Sequence, residues 1–562
     1  MNYSNINFPA LALLLICWSC ESPVTTADLT DDQQSAIQSL MQQGRIPGIQ
    51  LTYFDANSTY PYVAGYRSWA DSTRIDEATV FQANDLGHVV LMAICFRLQA
   101  AGELNLNDPI ANLYADPRLA GQEFAHMVTF NHALSHTAGL PIWAGAEESI
   151  AIASIPGENW SYSQIGYWLV KRALEKKFGM TLQELASEWV FEPLGMATSS
   201  FDPASSGKLA TGHDLIGRTK PLAEGEAFSF STTANDFQRL LSALFQDSFL
   251  GKDARKAIQT SWARASSWGM DDSDNRVSWG PGMAIESNND QSILWHYSDD
   301  NSHQSFAYIV PETGTGLVFL ANSENGLSII APLLALFTNE NLQAMKWLGY
   351  TPHDDVERQT RIRLEAAFAF ENATAAAETY DQLRTTAPDM ISDNLINNIV
   401  WSFFEYNHLE QAEALIRTHL KSFPEAATAW MRLGETLGFQ GNYQPSWQSY
   451  QQAMDLDPGI SQMIMPRFPW YLEATNALQE AQTLPMEKFV GRYENSEISL
   501  EGDQLAYSDS QYSNVPLRRI GNTLFDLAIV ATYRLNFLMD GDEVKGLERS
   551  YLNGDRVQEP LM

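Results

Sequence analysis

Cysteine and basic residues are both scarce in this sequence. Its 562 residues contain three cysteines, and Lys plus Arg total 35 against 68 Asp plus Glu, a net charge of −33. Two of the cysteines, Cys17 and Cys20, lie in the N-terminal segment, so no disulfide framework is predicted and stability must come from burial. A chain this acidic repels phosphate backbones, which argues against a nucleic-acid partner. Apolar residues make up 45% and charged residues 18%, which excludes a disordered or fibrous chain.

Long hydrophobic runs are also missing, apart from one at the start. The run Phe8–Trp18 has the length of an export-signal core and is too short to span a bilayer. Cys20 follows Ser19, and a small residue before a cysteine resembles a bacterial lipoprotein cleavage site. The sequence therefore predicts a signal peptide over 1–20, lipidation at Cys20 and an exported chain of the cell envelope, periplasmic or on the outer membrane. A plain secretory signal is the alternative, and membrane contact is expected only through the lipid anchor.

The residues after this segment, 28–341, are typical of one mixed α/β domain. A helical stretch, Asp31–Gln43, ends at Gly44 and is followed by two strand-like runs. Helical periodicity then returns, and two late strand-like runs end the domain. Strands at both ends with helices between them predict an antiparallel sheet closed by the two terminal parts and flanked by helices.

Two further zones follow. Residues 352–460 are predicted to be all-helical, and their sequence repeats with a period near 34 residues, which is similar to tetratricopeptide repeats. The copy that fits this pattern best contains Trp430, Leu433, Gly434, Tyr450, Ala453 and Pro458. Stacked helix pairs of this kind present a concave surface, so a protein partner is one prediction for this zone and a mere spacer is the other. Residues 486–562 alternate apolar and polar positions and predict a small β-barrel or sandwich.

The first domain resembles the serine β-lactamase and penicillin-binding-protein family, specifically the class C-like serine hydrolases. Ordered sequence blocks carry the resemblance over about residues 30–340: IPGIQLTYF, LNLNDPIANLY, TFNHALSHTAGLP, PGENWSYSQIGYWLV, WVFEPLGM, FSTTANDFQRLL and IVPETGTGLVFLANSENG. The resemblance implies a sheet flanked by helices and an acyl-enzyme mechanism. In such a mechanism a Ser-x-x-Lys pair at the start of a helix supplies the nucleophile and its base.

This chain departs from that motif at both positions. The matching stretch places Asp85 where the serine is expected and His88 where the lysine is expected. A carboxylate is a weak nucleophile toward amides, and a neutral imidazole here has no hydroxyl beside it to activate. Ser205 and Lys208 do spell Ser-x-x-Lys, but they lie in a loop rich in Pro, Gly and Ser, where chance accounts for the match.

The other two motifs of the family are partly kept. Tyr162 matches the phenol that can act as general base, and Gln164 stands for the usual Asn and is predicted to bind a ligand. His296 matches the strand motif that lines the site, while Ser298 replaces its Gly and is the second predicted ligand-binding residue. Asp299 and the acidic residue after it make the mouth unfavourable for a substrate carboxylate.

Two functional hypotheses follow from these residues. In the first, the chain is an exported pseudoenzyme whose cleft binds a small molecule, such as a cell-wall fragment, or which serves as a scaffold. In the second, it is a hydrolase of esters, amides or β-lactams that works through Asp85, His88 and Tyr162. No cofactor is predicted and no residue is assigned to a metal, although Asp85, His88, Tyr162 and His296 together form an acceptable ligand set for Zn²⁺. His132 and His136 have the spacing of a helical zinc pair but are predicted to pack.

Overall fold

The computed structural model describes most of the chain after its N-terminal segment. The described residues are 25–145, 148–202, 208–220, 229–266, 275–288, 291–338, 342–478, 484–529, 533–551 and 555–562. Contacts divide the chain into two compact units, with the boundary after Asp354. Across the described residues, every helix is too short or too polar to cross a bilayer.

The first unit contains an antiparallel sheet with one short parallel pair at its edge. Its strand order is β1-β3-β2-β14-β13-β12-β11-β10-β9, with β4 beside β3, and two small two-stranded sheets lie apart from it. The strands are β1 (Thr25–Thr26), β2 (Gly48–Phe54), β3 (Ser58–Ser68), β4 (Thr73–Arg74), β5 (Phe81–Gln82), β6 (Gly212–His213), β7 (Thr219–Lys220), β8 (Ser231–Thr232), β9 (Ala263–Arg264), β10 (Val277–Trp279), β11 (Ala284–Asn288), β12 (Gln291–Asp299), β13 (Gln304–Val310) and β14 (Thr315–Ala321).

The helices of the first unit cover this sheet. They are α1 (Asp31–Gln43), α2 (Gly87–Ala100), α3 (Phe130–Leu134), α4 (Gln164–Phe178), α5 (Leu182–Ala186), α6 (Glu192–Leu194), α7 (Ala234–Leu244), α8 (Lys252–Ile258), α9 (Ile330–Leu334) and α10 (Ala344–Leu348). α1 begins at a capping box in which Thr30 and Gln33 satisfy each other's backbone N–H groups, and it ends at Gly44, as the sequence predicts. α2 is apolar around almost its whole circumference and is buried, as such helices are.

The predicted fold class is confirmed for this unit. The early strand β2 pairs antiparallel with the last strand β14, in the register Ile49↔Ala321, so the two terminal parts do close one sheet. One apolar cluster surrounds α2, and a second includes α1, α9 and α10. The parallel pairing of β1 with β3 is the one departure from the antiparallel expectation in this sheet, and it involves only two residues of β1.

The second unit is a helical region followed by an all-β half-barrel, in agreement with the predicted class. Its helices are α11 (Val356–Phe370), α12 (Ala373–Thr386), α13 (Asp393–Glu405), α14 (Leu409–Ser422), α15 (Ala427–Phe439), α16 (Tyr443–Leu456), α17 (Ser461–Ile464) and α18 (Phe468–Ala477). Its strands pair in chain order: β15 (Gly491–Arg492), β16 (Glu497–Glu501), β17 (Gln504–Ser508), β18 (Val515–Arg519), β19 (Leu524–Leu527), β20 (Tyr533–Asp540), β21 (Glu543–Tyr551) and β22 (Arg556–Pro560).

A buried polar network joins the two parts of this unit. Asp526 on β19 accepts hydrogen bonds from Arg534 Nε at 3.1 Å and from Arg518 Nη2 at 3.2 Å. Tyr443 at the start of α16 donates to the same carboxylate. Because Asp526 and Arg534 are buried, this network is costly to disrupt, and it fixes the half-barrel against the start of α16.

Candidate active site

The start of α2 places Asp85 and His88 beside each other. A short 3₁₀ turn, Asn84–Leu86, leads into the helix, and the backbone N–H groups of Ala83 and Asn84 donate to the carbonyl oxygen of Phe230. The side chain of Asp85 is 20% exposed and that of His88 is fully buried, and His88 Nε2 lies 3.9 Å from Asp85 Oδ1. The two side chains are thus close but not hydrogen-bonded.

The start of α4 supplies the partners of Asp85. Ser163 caps this helix by accepting from the N–H of Gly166 at 3.0 Å, so its two neighbours project together toward α2. Tyr162 Oη donates to Asp85 Oδ2 at 3.0 Å, and Gln164 Nε2 donates to Asp85 Oδ1 at 2.7 Å. Both donors therefore point at one carboxylate.

Gln164 also separates Asp85 from His88. Its amide nitrogen donates to the carboxylate, so its oxygen Oε1 faces His88 Nε2 at 2.9 Å. Because an amide oxygen only accepts, the hydrogen on His88 must lie on Nε2. The amide bridge leaves the imidazole and the carboxylate without a direct path for a proton between them.

Strand β12 contributes the third side of the site. His296 and Ser298 are two residues apart and therefore project to the same face of the sheet, toward α2. Ser298 Oγ accepts a hydrogen bond from the backbone N–H of Asp85 at 3.2 Å. A backbone N–H at the start of a helix is a donor that acyl-transfer enzymes use to stabilise an oxyanion. Here that donor is taken by a side chain of the same chain.

The histidines at the site are uncharged at neutral pH. Burial lowers the pKa of His88 to about 3, and burial together with the neighbouring His88 lowers the pKa of His296 to about 4. Burial and both of these histidines hold the pKa of His136 well below its usual value. Charging three clustered imidazoles inside the protein is unfavourable, because each loses its hydration and repels the others.

Burial changes the pKa values of the acidic groups of the site in the opposite direction, by raising them. Burial raises the pKa of Asp85, while His296 and the hydrogen bonds from Gln164 and Tyr162 act against that rise. Burial and the charge of Asp85 hold the pKa of Tyr162 well above 10, so the phenol keeps its proton. A phenol that already donates to a carboxylate and keeps its proton is poorly suited to act as a general base.

Residues that carried no catalytic signal in the sequence complete the site. His136 accepts from the N–H of Ser163 at 3.0 Å and packs against Tyr162, with ring centroids 4.3 Å apart. Tyr167 stacks on His88 at 3.8 Å, and Trp279 packs against His136 at 5.3 Å. These are packing contacts that only the fold brings together, since the residues come from separate elements.

His132 and His136 are not arranged as the helical zinc pair that their spacing suggests. Across the described ranges, no group of three or more His, Cys, Asp or Glu side chains is arranged to hold a metal ion. The spacing of His132 and His136 is not that of a continuous helix, because α3 ends at Leu134 and His136 has φ 55°. The two rings therefore do not share a helical face.

The acidic mouth is held by hydrogen bonds within the chain. Asp299 accepts from Gln304 Nε2 at 2.8 Å and from the hydroxyl of Tyr350, a residue that lies beyond the last strand of the sheet. Asp300 accepts from Asn84 Nδ2 at 3.2 Å, which brings it next to Asp85. No motif in the sequence indicates Tyr350. Cys20 and Ser205 lie outside the described residues, so their predicted roles remain predictions.

Comparison with known proteins identifies relatives of the first unit. The family model Beta-lactamase matches residues 34–336. A beta-lactamase of Escherichia coli (strain K12) is 22% identical over 246 residues, which are 41% of this chain and 64% of that protein. Penicillin-binding protein 4 of Amycolatopsis lactamdurans is 24% identical over 181 residues, 30% of this chain and 48% of that protein. The chain thus spans less than two-thirds of the length of either relative.

A solved structure described as a class C beta-lactamase is also similar to this chain. It is 19% identical, has a TM-score of 0.47, and the match covers 55% of this chain and 97% of that chain.

Proposed function

Because the chain belongs to the beta-lactamase family, with the family model covering residues 34–336, we propose that it is an exported member whose cleft has lost acyl-transfer chemistry and binds a ligand. Asp85 and His88 stand in for the Ser-x-x-Lys pair in this proposal. The observation that carries it is the hydrogen bond from the N–H of Asp85 to Ser298 Oγ at 3.2 Å. A substrate carbonyl oxygen would need that donor, and the hydroxyl already occupies it.

The proton network supports the same conclusion. A nucleophile in this family needs a base that can take its proton, and the two candidate bases are unsuited to that role. Tyr162 donates to Asp85, and His88 donates to Gln164 rather than accepting from a hydroxyl. Each candidate group is engaged by another side chain of the site. The cleft is therefore better arranged to bind a ligand than to transfer a proton.

One observation favours the second candidate, a hydrolase with an altered site. The carboxylate of Asp85 is partly exposed, and burial raises its pKa toward the range of a general base. In that case Asp85, together with His88 and Tyr162, would activate a water, with or without a metal ion. This candidate requires turnover that disappears when the carboxylate is replaced.

Hydrolysis of a chromogenic β-lactam and a panel of small esters separates the two candidates. We expect no turnover from the wild-type protein or from Asp85→Asn, with or without a chelator. A variant that combines Asp85→Ser, His88→Lys and Ser298→Gly serves as the positive arm, since it rebuilds the motif and frees the N–H. Covalent labelling of this variant by a fluorescent penicillin would show that the cleft is accessible. Wild-type turnover lost in Asp85→Asn would instead establish the hydrolase.

The proposal also assigns roles to the N-terminal segment and to the helical region of the second unit. Lipidation at Cys20 would hold the protein at the cell envelope, where a cell-wall fragment is available as a ligand. The helical region 352–460, with its tetratricopeptide-like period, would carry a protein partner. Mass spectrometry of the mature N-terminus tests the anchor, because a Cys20→Ala variant should lose the lipid and leave the membrane fraction.

A further inference from the structure

A groove lies between α1 and the outer edge of β3, in a different part of the first unit from the candidate active site. Strands β2, β14 and β13 separate β3 from β12, the strand that contributes to that site. Met41 of α1 lines one wall of the groove and Tyr62 of β3 lines the other, and Gln38 Nε2 donates to Tyr62 Oη at 3.3 Å. The volume of the groove is about 670 Å³. Ligand sites typically have volumes of about 300–1,000 Å³, so the groove is large enough for a ligand.

The hydrogen bonds between β2 and β3 show which backbone groups of β3 face the groove. Tyr66 N–H donates to Pro47 O at 2.8 Å, and Ser58 O accepts from Asp55 N–H at 2.9 Å. Both β3 residues are even-numbered and both partners lie on the β2 side. Because backbone groups alternate along an antiparallel pair, the odd-numbered residues of β3 direct their N–H and C=O groups to the outer edge.

Part of this outer edge has no strand partner. Thr59 O accepts from the N–H of the residue after β1 at 3.0 Å, and Gly65 O accepts from the N–H of the residue after β4 at 3.3 Å. Between these two points, none of the described strands pairs with β3 on this side. The carbonyl oxygen of Pro61 and both backbone groups of Val63 are therefore available. An unpaired strand edge is a template on which an extended peptide can add a further strand.

A guanidinium group lies at one end of this open edge. Arg74 on β4 pairs with Tyr66, and its Cζ atom lies 4.2 Å from the centroid of the Tyr66 ring. Its side chain is exposed and lines the groove, and it forms no ion pair within the described ranges. The nearby carboxylate of Asp76 is bonded instead to Lys208 Nζ at 2.9 Å. A guanidinium stacked on an aromatic ring keeps its N–H groups free to bind a carboxylate.

From these features we infer that the groove binds an extended peptide, which adds a strand to the open edge of β3 and places a carboxylate next to Arg74. A peptide C=O accepts from Val63 N–H, and peptide N–H groups donate to Val63 O and Pro61 O. Every second side chain of the peptide projects into the groove beside Tyr62 and Met41. The groove shares no residue with the candidate active site, so the inference goes beyond the proposed function and does not depend on it.

Calorimetric titration of the full-length protein with matched synthetic peptides tests the inference. The acidic probe is acetyl-Glu-Val-Thr-Val-Glu-amide, and its control has Gln at both ends. Because both ends are acidic, the probe can reach Arg74 in either strand direction. We expect saturable 1:1 binding of the acidic peptide and about fivefold weaker binding of the Gln peptide. The net charge of −33 acts against this order, so only a local cation can produce it.

Backbone pairing and the role of Arg74 are tested separately. N-methylation of the three inner residues removes the peptide donors and should weaken binding about tenfold. Arg74→Gln should abolish the preference for the acidic peptide. Arg172→Gln is the matched control, because it removes an equal charge from the exposed side of α4 and should keep the preference.

Three results would overturn the inference: no saturable binding of the acidic peptide, equal affinity of the wild type for the Glu and Gln peptides, or undiminished binding of the N-methylated peptide. All three are measured on the wild-type protein, so a folding defect in a variant leaves the test intact. Failure of the proposed function is a different observation, namely turnover that depends on Asp85, and that result would leave the peptide groove unaffected.

Discussion

Acidification should destabilise the first unit through its buried histidines. His88 and His296 have pKa values of about 3 and 4, and the pKa of His136 lies well below its usual value. In the unfolded chain each histidine titrates near pH 6.5. Between about pH 4 and pH 6.5 the unfolded state therefore binds more protons, so the free energy of unfolding falls as the pH falls.

The size of the effect at pH 5 depends mainly on the unfolded pKa. Each histidine that stays neutral in the fold at pH 5 contributes a loss of about 2 kcal/mol relative to pH 7, since 1.5 pH units at about 1.4 kcal/mol each separate pH 5 from 6.5. His88 and His296 together give about 4 kcal/mol, a large part of the usual stability of about 5–15 kcal/mol, and His136, whose pKa burial also lowers, acts in the same direction. Carboxyls with raised pKa values, such as Asp85, act in the opposite direction, so single variants are needed to isolate the histidines.

Urea unfolding at pH 7 and pH 5, followed by tryptophan fluorescence, measures this loss. Trp279, whose ring centroid lies 5.3 Å from that of His136, is one of the 15 tryptophans that contribute to this signal. In His88→Asn and in His296→Asn, the loss between the two pH values should shrink by about 2 kcal/mol each. Any overall destabilisation cancels, because each variant is compared with itself. The exposed His126→Asn is the control, and an unchanged pH dependence in both buried variants would refute the reasoning.

Two other predictions concern buried polar groups. Gln164→Glu should destabilise the first unit by about 3 kcal/mol at pH 7, because it replaces the donor to Asp85 with a second carboxylate in a buried place. Gln164→Met adds no charge and should lower the free energy of unfolding in urea by less. Equal losses in the two variants would contradict this prediction. Asp526→Asn should destabilise the second unit by about 3 kcal/mol or more, because it removes the charge that pairs with two arginines. Thermal unfolding measures this loss, with the exposed Asp542→Asn as the control variant. A melting temperature equal to that of the control would show that the network adds no stability.

The sequence by itself determined the class of each part of this chain. Hydrophobic periodicity and turn residues are local properties, and they predicted α1 with its end at Gly44 and the early and late strands of the first sheet. The family blocks then located Asp85, Tyr162 and His296 in one cleft, because a family fixes which positions meet. For these features the information lies within short segments or in their order.

Tertiary structure alone decided how the side chains of the cleft are used. The donation from Asp85 N–H to Ser298 Oγ and the Gln164 bridge to His88 depend on distances between elements that are far apart in the chain. Tyr350, which donates to Asp299, comes from a turn after α10 with no motif of its own. Hydrogen bonds and pKa values depend on burial and on neighbours in space, and a linear sequence does not contain either of them.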